Sequence, residues 1–299
     1  ATDRLGCLTE GFLLRRLHLY DELNAPPPTF PSFPKTTDPE ALGDAIRSAL
    51  AVPLSRQMAW NDPYQAYNAW RDAIEQVGAL VFQLSSISLA EARGIAVNAN
   101  PLPIIAVNAK DHPNGRIFTL MHELAHIAIG ESAISDWAPE TEAIPRPRDE
   151  QAIEVFCNKV AAAILMPSRD LLAHELVRAT ARGSAWSDEA ISQLARSFSV
   201  SPEAALRRLL TLKRITPTFY QQRRSAFEEA YKRLARKPSK AVVPPHKRAL
   251  GNLGPSLSRL LLETYHERRI TLADLTGYLG ITVPWVAKLE SETQRRART

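Results

Sequence analysis

Apolar residues recur three and four apart at Ile117, Leu120, Met121, Leu124, Ile127 and Ala128, with no proline among them. That spacing predicts one amphipathic helix. Asn114-Gly115 supplies its start signal and Gly130 its stop. Three further runs predict helices: LTEGFLLRRLHLYDEL over about 8–23 with Thr9 as cap, about 39–51 with Asp38 or Thr37 as cap, and DPYQAYNAWRDAIEQVG closed by Gly78. Between the last of these and the 117–128 helix, the runs ALVFQL, GIAVNA and PIIAVNA are short, apolar and partly β-branched, and read as strands. Asp149 to Leu165 is acidic at its start, apolar through its body and stopped at Pro167, which reads as another helix.

The remaining pattern sets the organisation. Residues 8–23 are followed by NAPPPTFPSFPKTTDP, an extended strap or linker. Residues 131–148 read as a surface loop between two helices. DEAISQLARSFSVSPEAALRRL has a helix, a turn at Ser199-Val200-Ser201 and a second helix from Pro202. TLADLTGYLGITVPWVAKLE repeats that grammar, with Thr271 as cap, Gly280 in the turn and Val286 as an apolar anchor. Both second helices open on residues that are poor base readers, Pro202-Glu203-Ala204 and Val283-Pro284-Trp285, so a packed helical pair is at least as good a reading as a DNA reader. Prolines and glycines between Pro238 and Pro255 predict a linker, and the polar tail after Leu289 is expected to fray. The expected division is therefore 1–55, 56–180, 181–237, a linker at 238–255, and 256–299.

Composition narrows the class. An apolar fraction of 45% supports a globular core. No apolar run is long enough to span a bilayer, and no signal peptide is visible at the start given, so a cytoplasmic location is expected. The two cysteines, Cys7 and Cys157, indicate no disulfide framework, and Cys157 reads as a small core residue. Basic residues are concentrated between Arg214 and Arg248. Arg214, Arg223, Arg224, Lys232, Arg233 and Arg236 form a candidate phosphate-binding surface, against the alternative of a solvated helix face. Phe219, Tyr220 and Tyr231 lie among them, either as base-stacking groups or as core.

The chemistry is concentrated in His122-Glu123-Leu124-Ala125-His126. Histidines four apart share one helical face and can bind one metal ion, and the glutamate between them can take a proton from the water that the metal activates. This HExxH signature points to an α+β, zincin-like metallopeptidase core with a small sheet, followed by helical helix-turn-helix-like regions. A metzincin would continue with Gly and His where this chain has Ile129 and Ser132, so that class is excluded. The third ligand is then expected to be a carboxylate on the following helix, where Glu150 and Glu154 both qualify. Glu154 lies in the apolar part of that helix, where it needs a metal or a partner such as Lys159. An extended substrate is expected to pair with an edge strand, taken to be Ile104, Ile105, Ala106, Val107 and Asn108.

RIFTLMHELAHIAIG together with EVFCNKVAAAILMP resembles the ImmA/IrrE family of bacterial metallopeptidases, well over about 60–170 and more weakly to about 235. The resemblance implies that His122, His126 and Glu154 hold zinc and that Glu123 is the catalytic base. It further implies cleavage of a specific helix-turn-helix repressor, which relieves repression in a stress, phage-immunity or antiviral-defence response. Single-stranded DNA is a candidate activator through the basic region. The rival readings are a DNA-binding transcriptional regulator with a structural or inactive metal site, a general housekeeping peptidase, and the antitoxin or stress-regulator half of a two-gene unit.

Overall fold

The computed structural model describes residues 29–85, 87–99, 102–135, 148–235 and 243–297. In chain order its elements are α1 (Pro39–Leu50), α2 (Leu54–Met58), α3 (Pro63–Gln76), β1 (Leu80–Leu84), β2 (Gly94–Val97), β3 (Ile104–Asn108), α4 (Pro113–Ala128), β4 (Ala133–Ser135) and α5 (Arg148–Leu165). There follow α6 (Ser168–Ala173), α7 (Glu175–Ala179), α8 (Asp188–Ser197), α9 (Pro202–Thr211), α10 (Pro217–Ala235), α11 (Pro245–Leu253), α12 (Pro255–His266), α13 (Leu272–Leu279), a 3-10 turn (Val283–Trp285) and α14 (Val286–Ala297). The helix expected over 8–23 lies outside the described residues.

Local signals explain most boundaries. The Asp38 and Asp62 side chains accept backbone N–H groups at the starts of α1 and α3, each followed by a proline whose missing N–H costs nothing there. The HExxH helix starts slightly earlier than Asn114-Gly115 suggested: Pro113 is its first residue and the His112 ring accepts from the Asn114 N–H. It ends before Gly130, whose φ of 86° is one that residues with a Cβ rarely adopt.

The sheet has four strands in the order β1-β3-β2-β4, with β1 parallel to β3 and the other pairings antiparallel. Alternation assigns its two faces. Val81, Ala96, Ile105 and Val107 meet the helices, while Leu80, Phe82, Ile95, Ile104 and Ala106 form a second apolar layer with Ile87, Ala92 and Leu102. β4 lies inside the segment expected to be an uninterrupted loop; residues 136–147 of that segment are outside the described set.

Three expectations are corrected. One hydrophobic cluster runs from Leu42 through Leu120, Val160 and Phe198 to Tyr220, so the boundaries placed near 55 and 180 cut through a single core. The linker expected over 238–255 contains a helix, α11: Pro245 serves as a helix starter and Gly254, at φ 90°, as its end. The tail after Leu289 remains helical to Ala297.

The C-terminal helices have their own core of Leu257, Leu261, Leu275, Leu279 and Leu289. They are fastened to the first core by a buried ion pair on α3. Arg71 pairs with Glu75 at 3.0 Å and donates to the carbonyls of Val81 and Gly251. Glu75 in turn accepts the Ser256 N–H at 2.9 Å.

Candidate metal centre

α4 carries His122 and His126 one turn apart, with ring centroids 4.8 Å from each other. α5 brings Glu154 to the same point. The two Nε2 atoms are 3.1 Å apart; Glu154 Oε2 lies 3.2 Å from His122 Nε2, and Oε1 lies 3.4 Å from His126 Nε2. Among the described residues this is the one trio of His, Cys, Asp or Glu side chains arranged to hold an ion. Tetrahedral zinc with ligands at about 2.0–2.1 Å sets neighbouring donors about 3.3–3.4 Å apart. Glu154 meets the two rings with different oxygens, and with one donor atom from each residue the three lie within 4.8 Å of one another, a spacing that a small dication can close. Glu150, the other candidate on α5, is exposed and outside the trio.

Electrostatics agree with that fit. Burial lowers the His122 pKa; Glu154 and Asn158 oppose the shift without reversing it, so the ring is neutral at neutral pH. Burial raises the Glu154 pKa, but hydrogen bonds and charge from the two rings outweigh it and hold the carboxyl well below its usual range. The two shifts share one pair of groups; the direction that stands is an ionised Glu154 beside a neutral His122. A carboxylate oxygen and a ring acceptor facing one point repel unless a cation joins them. His122 Nδ1 and His126 Nδ1 are buried with no hydrogen-bond partner among the described residues.

Glu123 is fully buried on the sheet side of α4. It lies over Gly94 of β2, at the place where a side chain on residue 94 would begin. Thr119 flanks it one turn earlier.

The far end of α5 is held by three side chains from three other helices. Arg47 of α1 donates to the Ile164 carbonyl at 2.8 Å, Gln57 of α2 to the Leu165 carbonyl at 2.9 Å, and Arg208 of α9 to the Met166 carbonyl at 2.9 Å. Donors here satisfy the terminal carbonyls, and the two guanidinium charges oppose the negative end of the helix dipole. They fix the helix that carries Glu154. Neither this trio nor Gly94 belonged to the sequence-derived site. Gly94 left only the signal of a glycine at the head of an apolar strand run; the caps left none.

The strand assigned to substrate is corrected. β3 is an interior strand, and Ile104, Ile105, Ala106, Val107 and Asn108 are all buried. Its main chain is already paired on both sides. The Asn108 amide donates to the Ser88 and Ala92 carbonyls at 3.1 and 2.9 Å and ties down the β1–β2 connection. β1 and β4 are the two edge strands; α11 packs against β1, and β4 has no second strand among the described residues.

The basic candidates separate. Arg214 is corrected to a structural role: it donates at 2.6 Å to the carbonyls of both Val177 and Thr180. Arg223 is partly exposed, sits over the Phe219 ring and pairs with Asp188 at 3.4 Å. Arg224 is also partly exposed. Tyr220 is core, its hydroxyl donating to Glu203 at 3.0 Å. Lys232 and Arg233 lie on α10, their side chains outside the described set along with Arg236. Cys157 is a buried free thiol, as a core residue should be.

Two imidazoles on one helix, a carboxylate from the next and a glutamate between the histidines define a metallopeptidase domain. Residues 75–210 match the family model described as an IrrE N-terminal-like domain, Peptidase_M78. The chain is also similar to the radiation response metalloprotease IrrE of Deinococcus deserti, 36% identical over 105 residues, which are 34% of each protein. Its counterpart in Deinococcus radiodurans is 37% identical over 105 residues, 34% of this chain and 29% of that protein. The chain thus spans about a third of the length of the curated relatives it matches.

Proposed function

We propose that the chain is a zinc-dependent endopeptidase that cleaves a specific helix-turn-helix repressor in the cytoplasm and so relieves repression during stress or defence. The convergence of His122, His126 and Glu154, with donor atoms within 4.8 Å of one another and Glu123 next to His122 in the chain, carries this reading. Two imidazoles and a carboxylate suit zinc, and three ligands leave a position open, as catalytic rather than structural sites do. The metal supplies Lewis acidity that makes water nucleophilic near neutral pH. The protein supplies the rest. Glu123 accepts the proton as the water oxygen bonds to the scissile carbonyl carbon, and it returns the proton to the amine as the C–N bond breaks.

β4 replaces β3 as the strand that aligns the substrate: an extended segment adds to its open edge and crosses the centre. The name of the Deinococcus relatives, radiation response metalloprotease, favours a stress setting. Single-stranded DNA is proposed as the activator. Arg223 and Arg224 are its described contacts, joined by Lys232, Arg233 and Arg236.

The test is cleavage of the repressor encoded beside this gene, with zinc, with and without single-stranded DNA. A discrete fragment from wild type and none from Glu123→Gln is expected. Metal content should survive Glu123→Gln and fall in Glu154→Gln. Zinc bound stoichiometrically with no fragment under either condition overturns the proteolytic reading. Cleavage indifferent to DNA, and unchanged by Arg223→Glu with Arg224→Glu, overturns the activation step alone.

A further inference from the structure

Gly94 opens β2 and is paired on both sides, yet a glycine within a sheet contributes no packing and loses the most chain entropy on folding. Gly94 therefore needs a reason. Conformation is not the reason, because Gly94 is absent from the residues with positive φ. What it lacks is a Cβ. One built there would overlap Glu123 Oε1, stand 2.5 Å from Thr119 Cγ2 and 2.8 Å from Glu123 Cδ. Gly94 shares its sheet face with Ala96, and its cross-strand neighbours are Val107 and Ser135. The missing side chain leaves a slot in the sheet face, and the Glu123 carboxyl fills it.

We infer that Gly94 is a positioning residue: it sets where the Glu123 carboxylate stands relative to the metal trio. The inference rests on Glu123 being the base. Thr119 Cγ2 must also move, and a helical threonine has two χ1 rotamers open to it, so its methyl can turn aside. The end of Glu123 is the more mobile partner. A methyl at position 94 thus displaces the Glu123 carboxylate and turns the Thr119 side chain, while the three ligands keep their places. A base moved by about 1 Å costs on the order of a hundredfold in turnover.

The experiment compares wild type, Gly94→Ala, Glu123→Ala and the double variant, each as the full chain loaded with zinc. Gly94→Ala should bind one zinc, as wild type does, and cleave with kcat down about a hundredfold and KM little changed. Melting supplies a readout that needs no substrate. Gly94→Ala should lower Tm in the wild-type background and lower it by clearly less in Glu123→Ala, where truncation has emptied the slot and only the Thr119 contact remains. Wild-type turnover by Gly94→Ala overturns the inference, as does loss of its zinc. Equal Tm losses in the two backgrounds overturn it too, because they show that residue 94 does not act through Glu123. If wild type cleaves nothing while the Tm coupling holds, the slot stands and the proteolytic reading falls.

Discussion

Helix pairs α8–α9 and α13–α14 start from matching instructions. Ser187 caps α8 through the Ala190 N–H, and Thr271 caps α13 in a reciprocal box with Asp274. Each first helix ends on a left-handed residue, Ser199 at φ 53° or Gly280 at φ 64°. Their fates differ. α9 buries Ala204, Ala205, Leu206, Arg208 and Leu209, a band wide enough to be enclosed by the peptidase core. Among its described side chains, α14 buries the stripe Val286, Leu289 and Thr293 against a small separate core. Caps and turns specify how a pair bends. The width of the apolar band, and what meets it, decides whether the pair becomes scaffold or stays peripheral.

The most severe way to break this comparison is to remove the buried cation of the enclosed pair. Arg208 is 1% exposed, bonds Glu40 at 2.7 Å and holds the Met166 carbonyl. Loss of one partner from a buried pair costs about 3–5 kcal/mol, but Glu40 keeps 34% side-chain exposure and is partly rehydrated. Arg208→Met is therefore expected to cost about 2–3 kcal/mol in urea unfolding. Exposed Lys288 of α14 is the control, and Lys288→Met should stay within about 0.5 kcal/mol. The pair also has a pH signature. Burial raises the Glu40 pKa, but bonds and charge from Arg208 outweigh it, and the net shift is downward from 4.5. A depressed carboxyl stabilises the fold above its unfolded pKa and loses that contribution as pH falls through its folded value. Wild type should weaken on acidification below 4.5, and Arg208→Met should lack that part of the slope.

A smaller effect separates the second helices at their starts. The Ser201 side chain accepts the Ala204 N–H at 3.1 Å, whereas Thr282, at the matching place, makes no side-chain cap bond. Ser201→Ala should cost about 1 kcal/mol, and Thr282→Ala a few tenths. Thermal melts of the two variants check both values, and equal losses would show that the caps are equivalent after all.

What could be read from the sequence follows from the range of the forces involved. The HExxH helix, the three strands, the cap at Thr271 and the stop at Gly130 are specified by residues within a turn or two, and each was legible; the cap of α1 was narrowed to Asp38 or Thr37, and it is Asp38. The choice between Glu150 and Glu154 is tertiary: both lie on α5, and only packing against α4 shows which one reaches the rings. Strand order was hidden because β3 is short and wholly apolar up to Asn108, with nothing in its own pattern to show that β2 pairs on one side and β1 on the other. Counting basic residues misplaced Arg214, because charge along the chain is blind to the carbonyls of Val177 and Thr180 that a fold brings to it. Prolines and glycines at 244–255 suggested a linker, although the same residues start and stop α11 and open α12.

The turns offer the finest test of whether the two pairs share one geometry. Val200 N–H reaches back to the Ala195 carbonyl at 3.0 Å, and Ile281 N–H to the Thr276 carbonyl at 3.2 Å, the same five-residue span closing each first helix. Both spans need a left-handed residue, yet one uses serine and the other glycine. Serine there carries roughly 1–2 kcal/mol of crowding between Cβ and the backbone. Glycine removes the crowding and makes the unfolded chain more flexible, which costs about 0.4–1 kcal/mol. The difference favours glycine by about 0.5–1 kcal/mol at both turns. Ser199→Gly should raise the free energy of urea unfolding by that amount, read as a higher midpoint at unchanged m, and Gly280→Ser should lower it by as much. A loss at Ser199→Gly would mean that the enclosed pair has drawn a contact from the serine that the grammar does not require, and the equivalence of the two turns would fail at that residue.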